Sequence, residues 1–563
     1  MRPPEDFELE ALMHDTDDPD NTLAMAGSSS SSPPSSPRAA SPKSSSFPFP
    51  RPKWLTGRTG SSSRDRQPWH TTAILTRVLR PRLTVRYILF TVTLLLILFR
   101  LLTSPHLLAS PLPPYTGPYG VGAVDVEVPL PGGPRLISDT ALLKETGEHA
   151  FKAETVLATL YYPTSKTFRS KRQRYYWFPK PISITAQGYA RLAGADNFIT
   201  RPIFTFELWA IGGSITIPAE VDAPILDMKD AEEDKFPVMV FSHGFASSRT
   251  DYTNYLGELA SRGHVIAAIE HRDGSGPGSM VTYVDSDDDA PKDRKVLPIK
   301  AKDLKEEMDT PEFKATQLAF RDAEIQGAID LLAAVNTNTS ELIQSNSRSP
   351  RSNPYTTLSM WKDRLDFSLL TIGGHSYGAT GALQALSTTN NTLSTDESKE
   401  SKPKATAGII LDPGKSSGPL NNHTIQPLLI IHSNSWSRTH SPFHGRPHFD
   451  TVRDVALLSP KPSWFLTSIG TSHPSVTDAP LIEPLLLSWT TGANMNTKEA
   501  LEEYVRASME FLDFVAGEKK GELLREDVTH EQYGEWVSEE RKKEFPKDLA
   551  RLWEIHVSPK DDE

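Results

Sequence analysis

Residues 367–382 read FSLLTIGGHSYGATGA. The stretch opens as an apolar run from Phe367 to Ile372 and turns at Gly373-Gly374. It presents Ser376 between Gly374 and Gly378, then continues through small, helix-compatible residues to Leu383 and Leu386. Strand, sharp turn and helix with a serine at the tip make the G-x-S-x-G nucleophile elbow. The turn must be strained for the hydroxyl to stand clear of the backbone. Glycines two before and two after the serine are needed because strand and helix crowd those positions. Three fixed positions in five also arise by chance, and the strand–turn–helix setting is what separates this occurrence from coincidence.

Working outward, Phe236 to Phe241 (FPVMVF) reads as a buried strand ending in Ser242-His243-Gly244-Phe245. Tyr252 to Arg262 reads as a helix closing at Gly263, and His264 to Glu270 (HVIAAIE) as the next strand. This βαβ unit implies a parallel sheet. Upstream, Val121 to Val128 alternates like a half-buried strand, and Thr155 to Pro163 is another candidate. Downstream, the spacing of Leu318, Ile325, Ile329 and Leu332 predicts a helix over 316–335. Strands follow at Ala407–Leu411, Pro427–His432 and Trp464–Ile469, and an amphipathic helix at Glu499–Ala516. The expected fold class is α/β, a mostly parallel central sheet flanked by helices. It occupies 119–519, with polar insertions near 285–310, 337–359 and 387–404. Residues 520–563 are charged and read as a peripheral extension, and Arg169–Tyr176 as a basic, aromatic surface loop or lipid-facing patch.

The chain has 563 residues, no cysteine and a net charge of −11. Disulfides, thiol catalysis and cysteine metal sites are therefore excluded, and the acidic balance argues against nucleic acid as a partner. Residues 1–76 are acidic and then Ser/Pro-rich, with too little apolar surface to offset chain entropy, and are expected to be disordered. Residues 83–103 form an apolar segment flanked by Arg77, Arg80, Arg82 and Arg86, with Arg86 and Arg100 placed to snorkel. The expectation is one transmembrane signal-anchor helix, with a buried core helix as the alternative. Arginines on the N-terminal flank place the N-terminus in the cytosol and the remainder in the lumen or outside. Sequons at Asn338, Asn390 and Asn422 agree with that topology. Residues 104–118 form a Pro-rich linker.

A serine nucleophile needs a base within hydrogen-bond reach, and that base needs an orienting carboxylate. After an elbow serine the acid comes first and the histidine last, each at the end of a parallel strand. Asp412 follows the strand GIIL, and His473 closes the last strand-like run. Asp412 also reads as a turn-starting residue before Pro413-Gly414, and Asp450 and Asp454 are rival acids. His432 also ends a strand and is the rival base. His440, His444 and His448 have metal-like spacing, but Pro442, Gly445 and Pro447 interrupt a helix there, so no metal is expected. The two oxyanion donors are read as the N–H of Tyr377, after the nucleophile, and of Phe245, in the loop after an earlier strand.

Taken together, FSHGFASSRTDY, LASRGHVIAAIEHRD, GGHSYGAT, ILD and TSHPSVTD resemble the platelet-activating-factor acetylhydrolase family, calcium-independent lipases of the α/β-hydrolase fold. The resemblance spans roughly Tyr119 to Gly517. It implies Ser376 as nucleophile, Asp412 as acid, His473 as base, and Phe245 and Tyr377 as oxyanion donors. The reaction implied is hydrolysis of a short or oxidised sn-2 acyl ester of a phospholipid, with no cofactor. His271, Arg272 and Asp273 read as a structural cluster behind the site. Two features depart from the family. Pro413-Gly-Lys-Ser stands where the family usually has an aromatic-rich segment, and the N-terminal tail and anchor are unlike secreted members. A general esterase or acyltransferase with the same triad, and an inactive hydrolase-fold interaction protein, are the alternatives.

Overall fold

The computed structural model describes residues 85, 88–95, 109–231, 235–282, 293–337, 357–387, 403–438, 440–441, 446–483 and 491–560. They fall in two compact units, one within His14–Leu102 and the other holding Thr103–Glu563. In the first, residues 88–95 are helical and leave Leu89, Phe90 and Leu95 exposed. The expected tail at 1–76 and most of the expected anchor at 83–103 lie outside the described residues. Among the described residues no helix is long and apolar enough to cross a membrane.

The second unit is built on one ten-stranded sheet. In chain order its strands are β1 (Gly120–Pro129), β2 (Thr155–Thr164), β3 (Glu220–Val221), β4 (Phe236–Ser242) and β5 (Val265–Ile269). Then come β6 (Leu365–His375), β7 (Ala407–Leu411), β8 (Leu428–Ser433), β9 (Ser463–Ser468) and β10 (Trp553–Val557). Their spatial order is β10-β9-β8-β7-β6-β4-β5-β2-β1-β3. The run from β5 through β4 and β6 to β9 is parallel. β2 is antiparallel to both its neighbours, and β10 is antiparallel to β9.

Strands β5, β7, β8 and β9 are buried at every residue, as parallel strands covered on both faces must be. In β4, Val238 and Val240 face one core cluster, while Met239 and Phe241 face the other. The helices covering the sheet include α1 (Ile182–Leu192), α2 (Thr200–Gly212), α3 (Thr253–Ala260) and α4 (Thr310–Thr337). The others that matter for the site are α5 (Tyr377–Ala385), α6 (His448–Leu458) and α7 (Thr497–Val515). The chain leaves β4 toward β5 and returns through α4 to β6 on β4's other side. The C-terminal ends of β4 and β6 therefore flank a topological switch point, where an open sheet has room for a ligand.

Three expectations are corrected. Residues 520–563 are not peripheral: β10 extends the sheet, and Leu523, Phe545, Trp553 and Ile555 are buried in its core. The charged composition masks the alternation of WEIHV. The linker at 104–118 is docked from residue 109 on: Ser110 N–H donates to Ile482 O (2.8 Å) and Thr116 N–H to Glu258 (2.9 Å). The insertion near 285–310 is structured from 293, with Arg294–Val296 pairing with Ser279–Val281. Residues 338–356 and 388–402, most of the other two insertions, lie outside the described residues. Helices α1 and α2 have no counterpart in the sequence reading; α2 buries only Gly212 and so offers no inward apolar stripe.

Helix α4 carries a charge into the core. Arg321 is fully buried and pairs with the equally buried Asp273 at 2.7 Å. It also donates to His243 O and Ser275 Oγ, each at 2.7 Å, and lies 4.4 Å over the Tyr377 ring. Beside it, His271 bridges Ser242 Oγ (2.6 Å) and Glu324 (2.7 Å). This is the cluster expected from His271, Arg272 and Asp273, and its other half comes from α4. Breaking a buried pair strands the remaining charge, so Arg321→Met is expected to lose about 3–5 kcal/mol of stability. Urea unfolding checks this, and an unchanged midpoint refutes the clamp.

Candidate active site

Ser376 sits at the junction of β6 and α5 with φ 55° and ψ −124°, a backbone conformation that L-residues rarely adopt. The strand runs on through His375, so the turn falls at Ser376 and not at Gly373-Gly374. Four backbone bonds hold it. Ser376 N–H donates to Leu411 O (2.9 Å), and Ser376 O accepts from Ala379 N–H (2.9 Å), Thr380 N–H (3.2 Å) and Gly414 N–H (3.1 Å). A Cβ at Gly374 would lie 2.3 Å from Gly378 O, and one at Gly378 would lie 2.0 Å from Ser242 O. Both glycines are thus dictated by packing: the first by the elbow itself, the second by the loop after β4.

That loop, Ser242 to Phe245, borders the serine, since a Cβ on Gly244 would meet Ser376 Cβ at 3.1 Å. Arg321 holds it at His243 O from below. Tyr252 OH accepts from Gly244 N–H (3.1 Å) and meets His375 Nδ1 (2.9 Å). Among the described residues no protein acceptor takes the N–H of Phe245 or of Tyr377. The rings of these two residues lie 6.4 Å apart.

Asp412 directly follows β7 with φ 45°. Its Oδ1 accepts from Ser433 N–H (2.6 Å), and its Oδ2 accepts from Ser433 Oγ–H (2.6 Å) and faces His473 Nδ1 at 2.9 Å. Burial raises its carboxyl to about 6, against the pull of His375 and Ser433. His473 opens the short turn after β9. Burial first, and then the Lys415 cation, push its imidazole well below the ordinary histidine range. Its side chain keeps 23% exposure, so the push is smaller than a sealed ring would feel. Trp436 stacks on one face of the ring at 3.6 Å and 6°, and the His375 ring lies 4.5 Å away at 35°.

Two further groups hold the frame. Asp478, fully buried, accepts from Thr253 N–H (2.8 Å), Thr253 Oγ–H (2.6 Å) and Asn254 N–H (2.8 Å). It thereby caps α3 and ties the His473 turn to the segment carrying Tyr252. Pro413 O accepts from Trp436 Nε1–H (2.9 Å) and meets His448 Nε2 (2.7 Å).

The structure thus joins Asp412 to His473 and places Ser376 beside Gly244. No hydrogen bond links Ser376 Oγ to His473, a contact that in unliganded enzymes often forms only with substrate present. The rival base His432 is sealed on β8 with Ser437 as its partner (3.2 Å). The rival acids pair with arginines on and beside α6, Asp454 with Arg446 and Asp450 with Arg453. Of the three histidines with metal-like spacing, His444 lies outside the described residues, and His448 stacks on His432. The donor atoms of His375, Asp412 and His473 lie within 4.8 Å of one another. Asp412 already engages Ser433 and His473 through both oxygens, an arrangement that orients the imidazole. The sequence reading missed Trp436, Lys415, His375 and Arg321 as parts of the site. Tyr252 and Asp478 sat inside the quoted blocks SSRTDY and TSHPSVTD, the one signal available for them.

Comparison with known proteins follows this geometry. The family model for platelet-activating factor acetylhydrolase, isoform II, matches residues 108–532. A platelet-activating factor acetylhydrolase of Cavia porcellus is 27% identical over 312 residues, 54% of this chain and 60% of its own. That of Gallus gallus is 25% identical over 264 residues, 46% of this chain and 57% of its own. The chain thus spans 60% or less of the length of these two relatives. A solved ferulic acid esterase from Streptomyces cinnamoneus aligns over 74% of this chain and 96% of its own, with a TM-score of 0.44 and 17% identity. The range matched by the family model covers most of the chain and includes Ser376, Asp412 and His473, and on that ground the chain belongs to the platelet-activating factor acetylhydrolase, isoform II, family.

Proposed function

We propose that the chain is a serine hydrolase that cleaves the sn-2 acyl ester of phospholipids, with acetyl or another short or oxidised acyl group as the leaving acid. The observation that carries this reading is the strained Ser376 turn beside an Asp412–His473 pair at 2.9 Å, in a chain of this family. His473 Nδ1–H donates to Asp412, which leaves Nε2 as the acceptor for the Ser376 proton. Ser376 Oγ attacks the ester carbonyl, and the oxyanion develops against the N–H groups of Phe245 and Tyr377 at the α5 N-terminus. The lysophospholipid leaves with the proton that His473 took. Water then gives a proton to His473 and attacks the acyl-enzyme, releasing the free acid and restoring Ser376. The scheme draws on no cofactor.

A lipid surface as the source of substrate is supported by α2. Only Gly212 of that helix is buried, and Phe198, Ile199, Ile203, Phe206 and Trp209 are exposed on and just before it. The helix packs on α1, which is tied to the loop after β4 through Tyr189 Oη–H donating to Ala246 O (3.1 Å). The apolar run within 83–103 and its arginine flank support a single-pass anchor with the hydrolase domain lumenal or outside. Exposure of Asn422 agrees with glycan attachment there.

Ser376→Ala is expected to cut hydrolysis of a short-chain sn-2 phospholipid in vesicles by about 10⁴-fold or more while leaving the unfolding midpoint in place. Retained turnover overturns the reading, and acyl transfer to an alcohol in place of water would move it to an acyltransferase. Activity requires Asp412 ionised and His473 neutral; the two share one hydrogen bond and take up their first proton as a pair, so a single acid limb reports on both. With Asp412 raised to about 6, kcat/KM is expected to hold above that pH and to fall about tenfold per unit below it. A profile flat through that range contradicts the assignment. In cells, the chain is expected to shift in mobility on glycosidase treatment and to resist protease in sealed vesicles. A glycan-free, digestible domain rules out the topology.

A further inference from the structure

Behind the base lies a second layer that the proposed chemistry does not use. Lys415, 4% exposed, is in the loop that follows the acid. Its Nζ lies 3.6 Å from the centroid of the Trp436 ring. The same indole stacks on His473 at 3.6 Å and 6°. An ammonium and an imidazole at that spacing cannot share one face, so they take opposite faces: cation, indole, imidazole. The stack is held from its edges. Trp436 Nε1–H donates to Pro413 O (2.9 Å), and Gly414 N–H donates to Ser376 O and Thr380 Oγ1 (both 3.1 Å). Thr380 Oγ1 and Ser417 Oγ lie 2.6 Å apart, so the Lys415 loop is pinned to α5 on both sides of the lysine.

We propose that Lys415, acting through Trp436, is a positioning residue that fixes the plane of the His473 ring and opposes its protonation, so that it sets how far into acid the site stays active. The inference rests on the reading of Ser376, Asp412 and His473 given above. A positive charge about 7 Å from the imidazole, buried from solvent, disfavours imidazolium by about one pH unit for an effective dielectric of about 40. The indole between them transmits packing but carries no counter-charge. The other ionisable groups around His473 are accounted for. Asp412 at 2.9 Å favours the charged ring, and Lys415 also lowers the Asp412 carboxyl, so the cation opposes proton uptake by either member of the pair. His375 lies on the side of β6, held down to about 3 by burial. His432 and His448, stacked on each other, lie beyond Trp436. Tyr504 of α7 faces Asp412, with its hydroxyl held protonated by burial. Asp478, on the base's own turn, is turned toward α3. Among these, Lys415 is the one fixed cation.

The test is the rate at which a fluorophosphonate labels Ser376 in the full-length chain, read from about pH 5 to 9, where the neutral base sets the rate. Lys415→Met keeps the length of the side chain and removes the charge. It is expected to move the acid limb up by about one pH unit, so that labelling near the acid end slows about tenfold. Lys415→Arg keeps the charge and is expected to leave the limb in place. An unmoved limb in Lys415→Met overturns the inference, as does an equal shift in Lys415→Arg, which would assign the effect to packing. Labelling slowed by the same factor at every pH, with an unmoved limb, makes Lys415 structural only and also overturns it. Wild-type chain that is never labelled instead overturns the reading of Ser376 as the nucleophile.

Discussion

The buried guanidinium of Arg321 is the interaction on which the site depends. It is paired with Asp273 and also bonds the loop after β4 at His243 O. A charge sealed in a core is tolerated only when its partners are held in place, so each partner is constrained in turn. His243 O belongs to the loop that carries the proposed Phe245 donor. Tyr377, whose ring lies under the guanidinium, is the first residue of α5 and carries the other donor. One side chain on α4 therefore sets the spacing between the two elements that carry the proposed oxyanion donors. The cost of misplacing it is an unpaired buried charge, which makes this spacing steep in energy rather than soft.

Crowding completes what the ion pair begins. The elbow packs so closely on the β4 loop that Gly378 has no room for a methyl group. The strain at Ser376 is offset by backbone bonds to Leu411 and Gly414, which come from the next strand and from the loop carrying the acid. Ser376, Asp412 and the loop after β4, the proposed nucleophile, acid and donor loop, are thus built as one block at the switch point of the sheet. The base stands on a separate turn after β9, and Asp478 joins that turn to α3 and Tyr252. Its ring plane is set by Trp436, a side chain from yet another loop.

Much of this was legible in the chain. A glycine pattern around a serine reports sterics that act within a few residues, so the elbow could be read directly. Strands β4 to β9 were legible because burial on both faces leaves an uninterrupted apolar run. Asp412 and His473 followed from chain order and strand ends. The C-terminal strand was misread because β10 is five residues long within a charged stretch, and its burial comes from pairing with β9. The exposed face of α2 was not legible either, since a helix apolar on its outer side gives no inward stripe to find.

By itself the sequence determined the α/β class with its mostly parallel sheet and singled out Ser376, Asp412 and His473 as the proposed nucleophile, acid and base, because these readings rest on local backbone sterics and on the apolar content of single strands. The tertiary structure alone decided the environment of His473, the proposed base. Lys415, Trp436 and His375 lie on three separate segments, and only the sheet order brings them around one imidazole. It also decided that Arg321 faces inward, since pattern alone gives a helical arginine to solvent. Electrostatic and stacking contacts act through space between residues far apart in the chain, and no local spacing encodes them.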